Sequence, residues 1–154
     1  MPAPRWRPTP VLSFRSHFSF MRRRTRFDTM SRSERRTLVT LRPNIMIEGQ
    51  ESDVERTLVA LTADFRPGTC EWSAIASHHD ETPVATIIVR DITRLPLADL
   101  HRLSAWLDST NPRVQLIVTS STPVFRAVQQ GRFPADLYYR LNTVMLAGAQ
   151  QGAA

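Results

Sequence analysis

From Leu41 to Leu146 the apolar residues switch between short unbroken runs and helical spacing. Asn44-Ile-Met-Ile-Glu48 reads as a short strand closed by Gly49. Val54, Leu58, Leu61 and Phe65 then recur at the spacing of one helix face, with Ser52 or Asp53 as N-cap and Pro67-Gly68 as the stop. Cys70 to Ala76 is ambiguous and is read as a short strand. Val84-Ala-Thr-Ile-Ile-Val89 is a β-branched run of the kind found in a buried central strand. Pro96 opens a helix with Leu97, Leu100, Leu103 and Leu107 on one face, ended by Asn111-Pro112. Val114 to Thr119 is another buried strand. Ser121 or Thr122 caps a short helix from Pro123 to Gly131, Asp136 to Leu141 forms one more helical stretch, and Thr143 to Leu146 is a last strand. Strands alternating with helices predict an α/β fold: a mostly parallel sheet of four or five strands flanked by helices.

Before Leu41 the pattern is different. Pro2, Pro4, Pro8 and Pro10 crowd the start, Arg22-Arg23-Arg24 follows, and neither period is visible. Residues 1 to 40 hold ten Arg against Asp28 and Glu34, a net of +8. Residues 41 to 154 hold ten Arg against twelve acids, a net of −2, which together give the +6 of the chain. The expected division is a basic, disordered arm over 1–40, an α/β domain over 41–147 and a flexible tail over 148–154. Such an arm suits nucleic acid phosphates or an anionic membrane surface, and Phe14, Phe18, Phe20 and Phe27 add stacking groups. Its Arg-rich, acid-poor composition also fits a transit peptide, and Met21 or Met30 also fits as the true start of translation. No run is long enough for a membrane span, and the lone Cys70, read as a small buried apolar group, suits a reduced, cytoplasmic setting.

The most specific stretch is Gly131-Arg-Phe-Pro-Ala-Asp-Leu-Tyr-Tyr-Arg-Leu-Asn142. It resembles the G-x-F-R-x-D-L-Y-Y-R-L-N signature of the AAA+ domain of bacterial sigma-54-dependent transcriptional activators. Ala85 to Ile92 resembles that family's Walker B strand, Leu95 to Leu107 the helix after it, Val114 to Ser121 the sensor I strand, and Ile45 to Leu61 the opening strand, phosphate loop and helix. The resemblance covers about residues 44 to 146, in the family's order, and implies an AAA+-like P-loop sandwich and, for the family, binding of ATP and Mg²⁺.

The departures decide the expected chemistry. Against the family's G-E-S-G-T-G-K-E loop stands Gly49-Gln-Glu-Ser-Asp-Val-Glu-Arg56, with Val54 at a glycine position and Glu55 at the phosphate-binding lysine. No lysine exists anywhere in the chain to replace it. The Walker B acids correspond to Arg90 and Asp91, and an Arg opposes the divalent cation that the first acid would hold. Sensor I corresponds to Ser120 and Ser121, the first arginine finger to Pro134 and the second to Arg140. Glu55 and Arg90 reverse the signs of the lost Lys and Asp, so an ion pair across the old cleft is a testable reading. Glu55 and Arg90 are also too near in sequence to hold the family's sigma-gripping loop between them, and beyond Leu146 no helical lid or helix-turn-helix is expected.

No ATPase activity and no cofactor are therefore expected. Gly49, Glu55, Arg90, Asp91 and Ser121 are the family's nucleotide positions, expected to be non-functional, and Arg140 is a relic finger or simply a surface Arg. The expected role is a protein-interaction module in transcriptional regulation, docking on an AAA+ activator ring or another signalling protein, with no oligomeric state fixed by the residues. Three alternatives stand beside it: a basic-arm nucleic-acid binder on an inert scaffold, a pseudo-receiver signalling domain, and residual ATP binding as in the family. Strand order separates the receiver, 2-1-3-4-5, from the AAA+ sheet, 5-1-4-3-2. Tyr138 and Tyr139 are expected as core and interface filler. His78-His79 stand near Asp80 and Glu81, but adjacent residues seldom supply two ligands and no metal is expected.

Overall fold

The central strands carry unbroken apolar runs, Ile45–Ile47, Ile87–Val89 and Leu116–Val118, and alternate residues go to opposite faces of the sheet. In the computed structural model, which describes residues 25–63, 65, 68–72, 85–109 and 114–148, both faces are covered. Strand β1 (Thr25–Arg26) leads through a 3-10 turn, Phe27–Thr29, into helix α1 (Arg32–Leu41). There follow β2 (Ile45–Glu48), α2 (Glu51–Thr62), β3 (Thr69–Glu71), β4 (Thr86–Val89), a second 3-10 turn at Ile92–Arg94, α3 (Leu97–Ser109), β5 (Gln115–Ser120), α4 (Val124–Gln129), α5 (Ala135–Leu141) and β6 (Val144–Ala147). Met46, Ile87, Val89, Leu116 and Val118 pack on one face against α3, α4 and α5 through Leu100, Leu103, Val124, Leu137 and Leu141. Ile45, Ile47, Ile88 and Ile117 pack on the other against α1 and α2 through Leu38, Val54, Leu58 and Leu61.

All strand pairs are parallel, and the order across the sheet is β1-β6-β2-β5-β4-β3. Setting aside the added edge strand β1, this is the 5-1-4-3-2 order of the AAA+ sheet. It is not the receiver order, and the pseudo-receiver reading is corrected on that ground. Six strands are present rather than four or five. The extra strand comes from the stretch read as an arm.

The boundary at residue 40 is therefore also corrected. Ser31 caps α1 with a reciprocal box: its hydroxyl accepts from the Glu34 amide at 3.3 Å, and its own amide donates to Glu34 Oε2 at 2.6 Å. Phe27, Met30 and Leu38 are buried in the α1–α2 core. The Arg35 guanidinium stacks 4.4 Å from the Phe27 ring centre and donates to the Phe27 carbonyl at 3.2 Å. Arginines here cover an apolar face with their stems, and the charge hid that face in the sequence. Residues 1–24, with their proline and arginine runs, and 149–154 lie outside the described residues. Gly148, assigned to the tail, instead packs against α2: a Cβ on it would lie 3.0 Å from the Asp53 Cβ and the Val54 amide nitrogen.

The expected caps also differ. Gln50, not Ser52 or Asp53, precedes α2, and Pro123, not Ser121 or Thr122, precedes α4; neither supplies a side-chain cap. No described helix is long and apolar enough to cross a membrane.

Phe27→Ala should lower stability by about 3 kcal/mol in urea unfolding, the usual cost of emptying a large buried aromatic site. No change would mean that residues 25–41 are peripheral to the core.

Candidate functional site

In an open parallel sheet, ligand chemistry gathers at the carboxyl ends of the strands. There β2 ends in Glu48, and Gly49 and Gln50 follow it. Only Gln50 separates Gly49 from the first turn of α2. The amides of Asp53 and Val54 donate to the Gln50 carbonyl at 3.0 and 2.9 Å, so residues 51–54 are wound into helix. Glu51 and Asp53 fill the first turn, where their carboxylates complement the positive end of the helix dipole. In a phosphate loop that positive end faces the ligand.

Glu55 and Arg90 are brought together. Arg90, just past the end of β4, pairs through Nη1 with Glu55 Oε2 and through Nε with Glu71 Oε1 at 2.9 Å. One guanidinium thus ties α2 to the ends of β3 and β4. The hydrogen bond to Glu55, then that to Glu71, holds the Arg90 pKa above its ordinary value against the opposing effect of burial, so it stays charged at any pH at which the protein is handled. All three side chains are about half exposed. Glu71 had no motif to mark it. Only the parallel pairing of β3 with β4 places it beside Arg90.

Asp91 is engaged differently. Its backbone is left-handed (φ 42), its amide donates to Thr119 Oγ1 at 2.9 Å, and its carboxylate accepts from Ser121 Oγ at 3.0 Å and Thr93 Oγ1 at 3.2 Å. Arg94 Nε pairs with Oδ2 of the same carboxylate, the oxygen that Ser121 also reaches, at 2.8 Å. Ser120 Oγ donates to the Thr122 carbonyl at 2.5 Å. Buried Glu48 accepts from the Val124 amide at 2.8 Å; burial first, then the Glu48 charge, pushes the Tyr138 phenol above its ordinary pKa.

Gly49, Glu55, Arg90, Asp91 and Ser121 therefore share the carboxyl end of the sheet. Arg140 does not. Its carbonyl accepts from Asn44, which precedes β2 at the amino end, and its guanidinium pairs with Asp108. Pro134 is the N-cap position of α5. Tyr138 is buried, whereas Tyr139 is 69% exposed, so the filler expectation holds for the first as core. Cys70 is only half-buried and unbridged, a correction to its reading as a buried apolar group. His78-His79 lie outside the described residues. Among those described, no three His, Cys, Asp or Glu side chains converge as a metal site.

No family model and no curated protein sequence matches the chain. Solved structures do. NtrX from Brucella abortus in complex with ATP matches with a TM-score of 0.58 and 18% identity, over 74% of this chain and 34% of that one. NtrX in complex with ADP gives 0.58 and 14%, over 76% and 34%. The P-loop NTPase domain of the sigma-54 transport activator from E. coli gives 0.53 and 18%, over 79% of this chain and 99% of that chain. The chain spans about a third of the length of NtrX. The resemblance to the sigma-54 activator AAA+ domain is thus shown at the level of the fold.

A double-mutant cycle over Glu55→Ala and Arg90→Ala, read by urea unfolding, should give a coupling of about 0.5 to 1 kcal/mol, the range of a well-formed exposed pair. A coupling of zero would make the contact incidental.

Proposed function

We infer that the chain is a sigma-54-activator-like domain that has given up nucleotide chemistry and serves as a protein-interaction module in transcriptional regulation. The observation that carries this is that α2 begins at Glu51, two residues after Gly49, with Arg90 clamped between Glu55 and Glu71. A triphosphate with Mg²⁺ does not fit these residues. The Asp53 and Val54 amides are already given to the Gln50 carbonyl. Carboxylates at 51, 53 and 55 repel the anion. Arg90 opposes the cation, and Asp91, the one acid left, already holds Ser121 and Arg94.

What remains is a rigid sheet with an aromatic surface. The exposed Phe125 and Tyr139 both contact the buried Tyr138 ring, at centroid distances of 5.7 and 5.4 Å. Aromatic rings anchored from below suit a protein partner, because little side-chain freedom is lost on docking. Arg140 is drawn to Asp108 of its own chain, which weighs against a finger reaching into a neighbouring ATPase.

One observation favours a second reading. Residues 1–24 carry six Arg and no acid, the footprint of an arm for nucleic acid phosphates. Two titrations separate the readings. A labelled ATP analogue with Mg²⁺ should not saturate the protein, and micromolar affinity would overturn the loss of nucleotide chemistry. DNA affinity should be unchanged by deleting residues 1–24, a cut that spares β1 and α1. A loss on deletion, steep in salt, would favour the arm.

A further inference from the structure

The carboxyl end of the sheet carries a concavity beside Asp91, whose partners Thr93, Ser121 and Arg94 are part of its lining. It encloses about 420 Å³, includes none of Gly49, Glu55 or Arg90, and is lined by Arg94, Arg126, Arg132, Thr93, Ser121 and Thr122 among others. That volume is in the range of small-molecule sites, about 300 to 1,000 Å³. No acidic side chain lines it.

Its charge is built in by the backbone. Gly131 adopts φ +68, a conformation that an L side chain rarely adopts. Its amide donates to the Val128 carbonyl at 3.0 Å, and the Arg132 amide donates to the Ala127 carbonyl at 2.9 Å. This pair of bonds turns the chain back over the end of α4 and brings Arg132 to the same cavity as Arg126. Arg94 is compensated by Asp91 at 2.8 Å. Arg132 has only the neutral Gln130 amide oxygen, 3.1 Å from its Nε. Arg126 pairs with no acid among the described residues. Two guanidinium groups are thus held on one cavity with no counter-charge of their own. Thr93 Oγ1 gives its hydrogen to Asp91, so in its 3.1 Å contact with Thr122 Oγ1 the Thr122 hydroxyl is the donor, and the arginines are left as the groups that meet an incoming anion. The backbone at the start of α4 takes no part, since Pro123 has no N–H and the Val124 amide is held by Glu48.

We propose that this cavity binds the phosphate group of a small phosphate monoester. The dianion matches the two uncompensated charges, and guanidinium forks suit phosphate oxygens better than a point charge would. The site shares Ser121 with the family's nucleotide positions but none of Gly49, Glu55 or Arg90, and it does not depend on whether those positions are inactive.

The test titrates the full chain with ribose 5-phosphate and inorganic phosphate, and with a sulfate monoester of similar size, while following the amide resonances of Ser121, Thr122 and Arg126. Ribose 5-phosphate should shift these resonances and bind more tightly than inorganic phosphate. Its affinity should fall about tenfold or more in Arg126→Glu and in Arg132→Glu, both at exposed positions and both checked for an unchanged unfolding midpoint. It should weaken as the pH drops below about 6, where a phosphate monoester gains a proton. Glu55→Ala should leave it unaltered, which separates this site from the nucleotide question. Equal binding of the sulfate ester near neutral pH, affinity unmoved by either arginine substitution, or no shift at Ser121 and Thr122 would each overturn the proposal.

Discussion

The amides of Asp53 and Val54 both donate to the Gln50 carbonyl, and the carboxyl end of the sheet is organised around that commitment. A backbone N–H given to a helix is not available to a phosphate. With α2 beginning at Glu51, negative charge is favoured at its start, and Glu51 and Asp53 supply it. One turn further on, Glu55 emerges on the side of β4 and β3, where Arg90 meets it together with Glu71. Gly148 packs against the same turn, where a Cβ would sit tightly against Asp53 and Val54. The acids, the clamp and the close glycine contact all follow from where α2 begins.

Much of this was legible in the residues. The runs at 45–48, 84–89 and 114–119 predict buried strands because β-branched side chains on both faces suit only a covered sheet, and each lies within two residues of an observed strand. The sign reversal at Glu55 and Arg90 was readable once the family pattern fixed which positions face each other. The start of α2 was harder, because the family pattern suggests a loop. Yet Gln50 to Arg56 lacks glycine and is acidic in its first turn, which is the composition of a helix start.

Residues 25–41 were missed for another reason. Their arginines dominate composition and overwhelm a sparse apolar pattern of Phe27, Met30 and Leu38. The local signal was there, in the Ser31-Arg-Ser-Glu34 capping box ahead of Leu38. Glu71 carried no local signal at all, since its role depends on strand register. Arg126 and Arg132 belong to the same class: only the left-handed turn at Gly131 makes them neighbours of one cavity.

The edge strand has a consequence for how the molecule assembles. Thr25 and Arg26 pair with Leu146 and Ala147, so the first described strand finds its partner in the last. Central strand β2 likewise waits for β5 and β6 on its two sides. A nascent chain leaving the ribosome can form its helices early, but the sheet cannot close on that side until residue 147 has emerged. Long-range pairing of this kind slows folding and leaves apolar strand faces open for longer. Phe27 and Leu38, which share a core with Val144 and Leu146, are among the apolar groups left to wait.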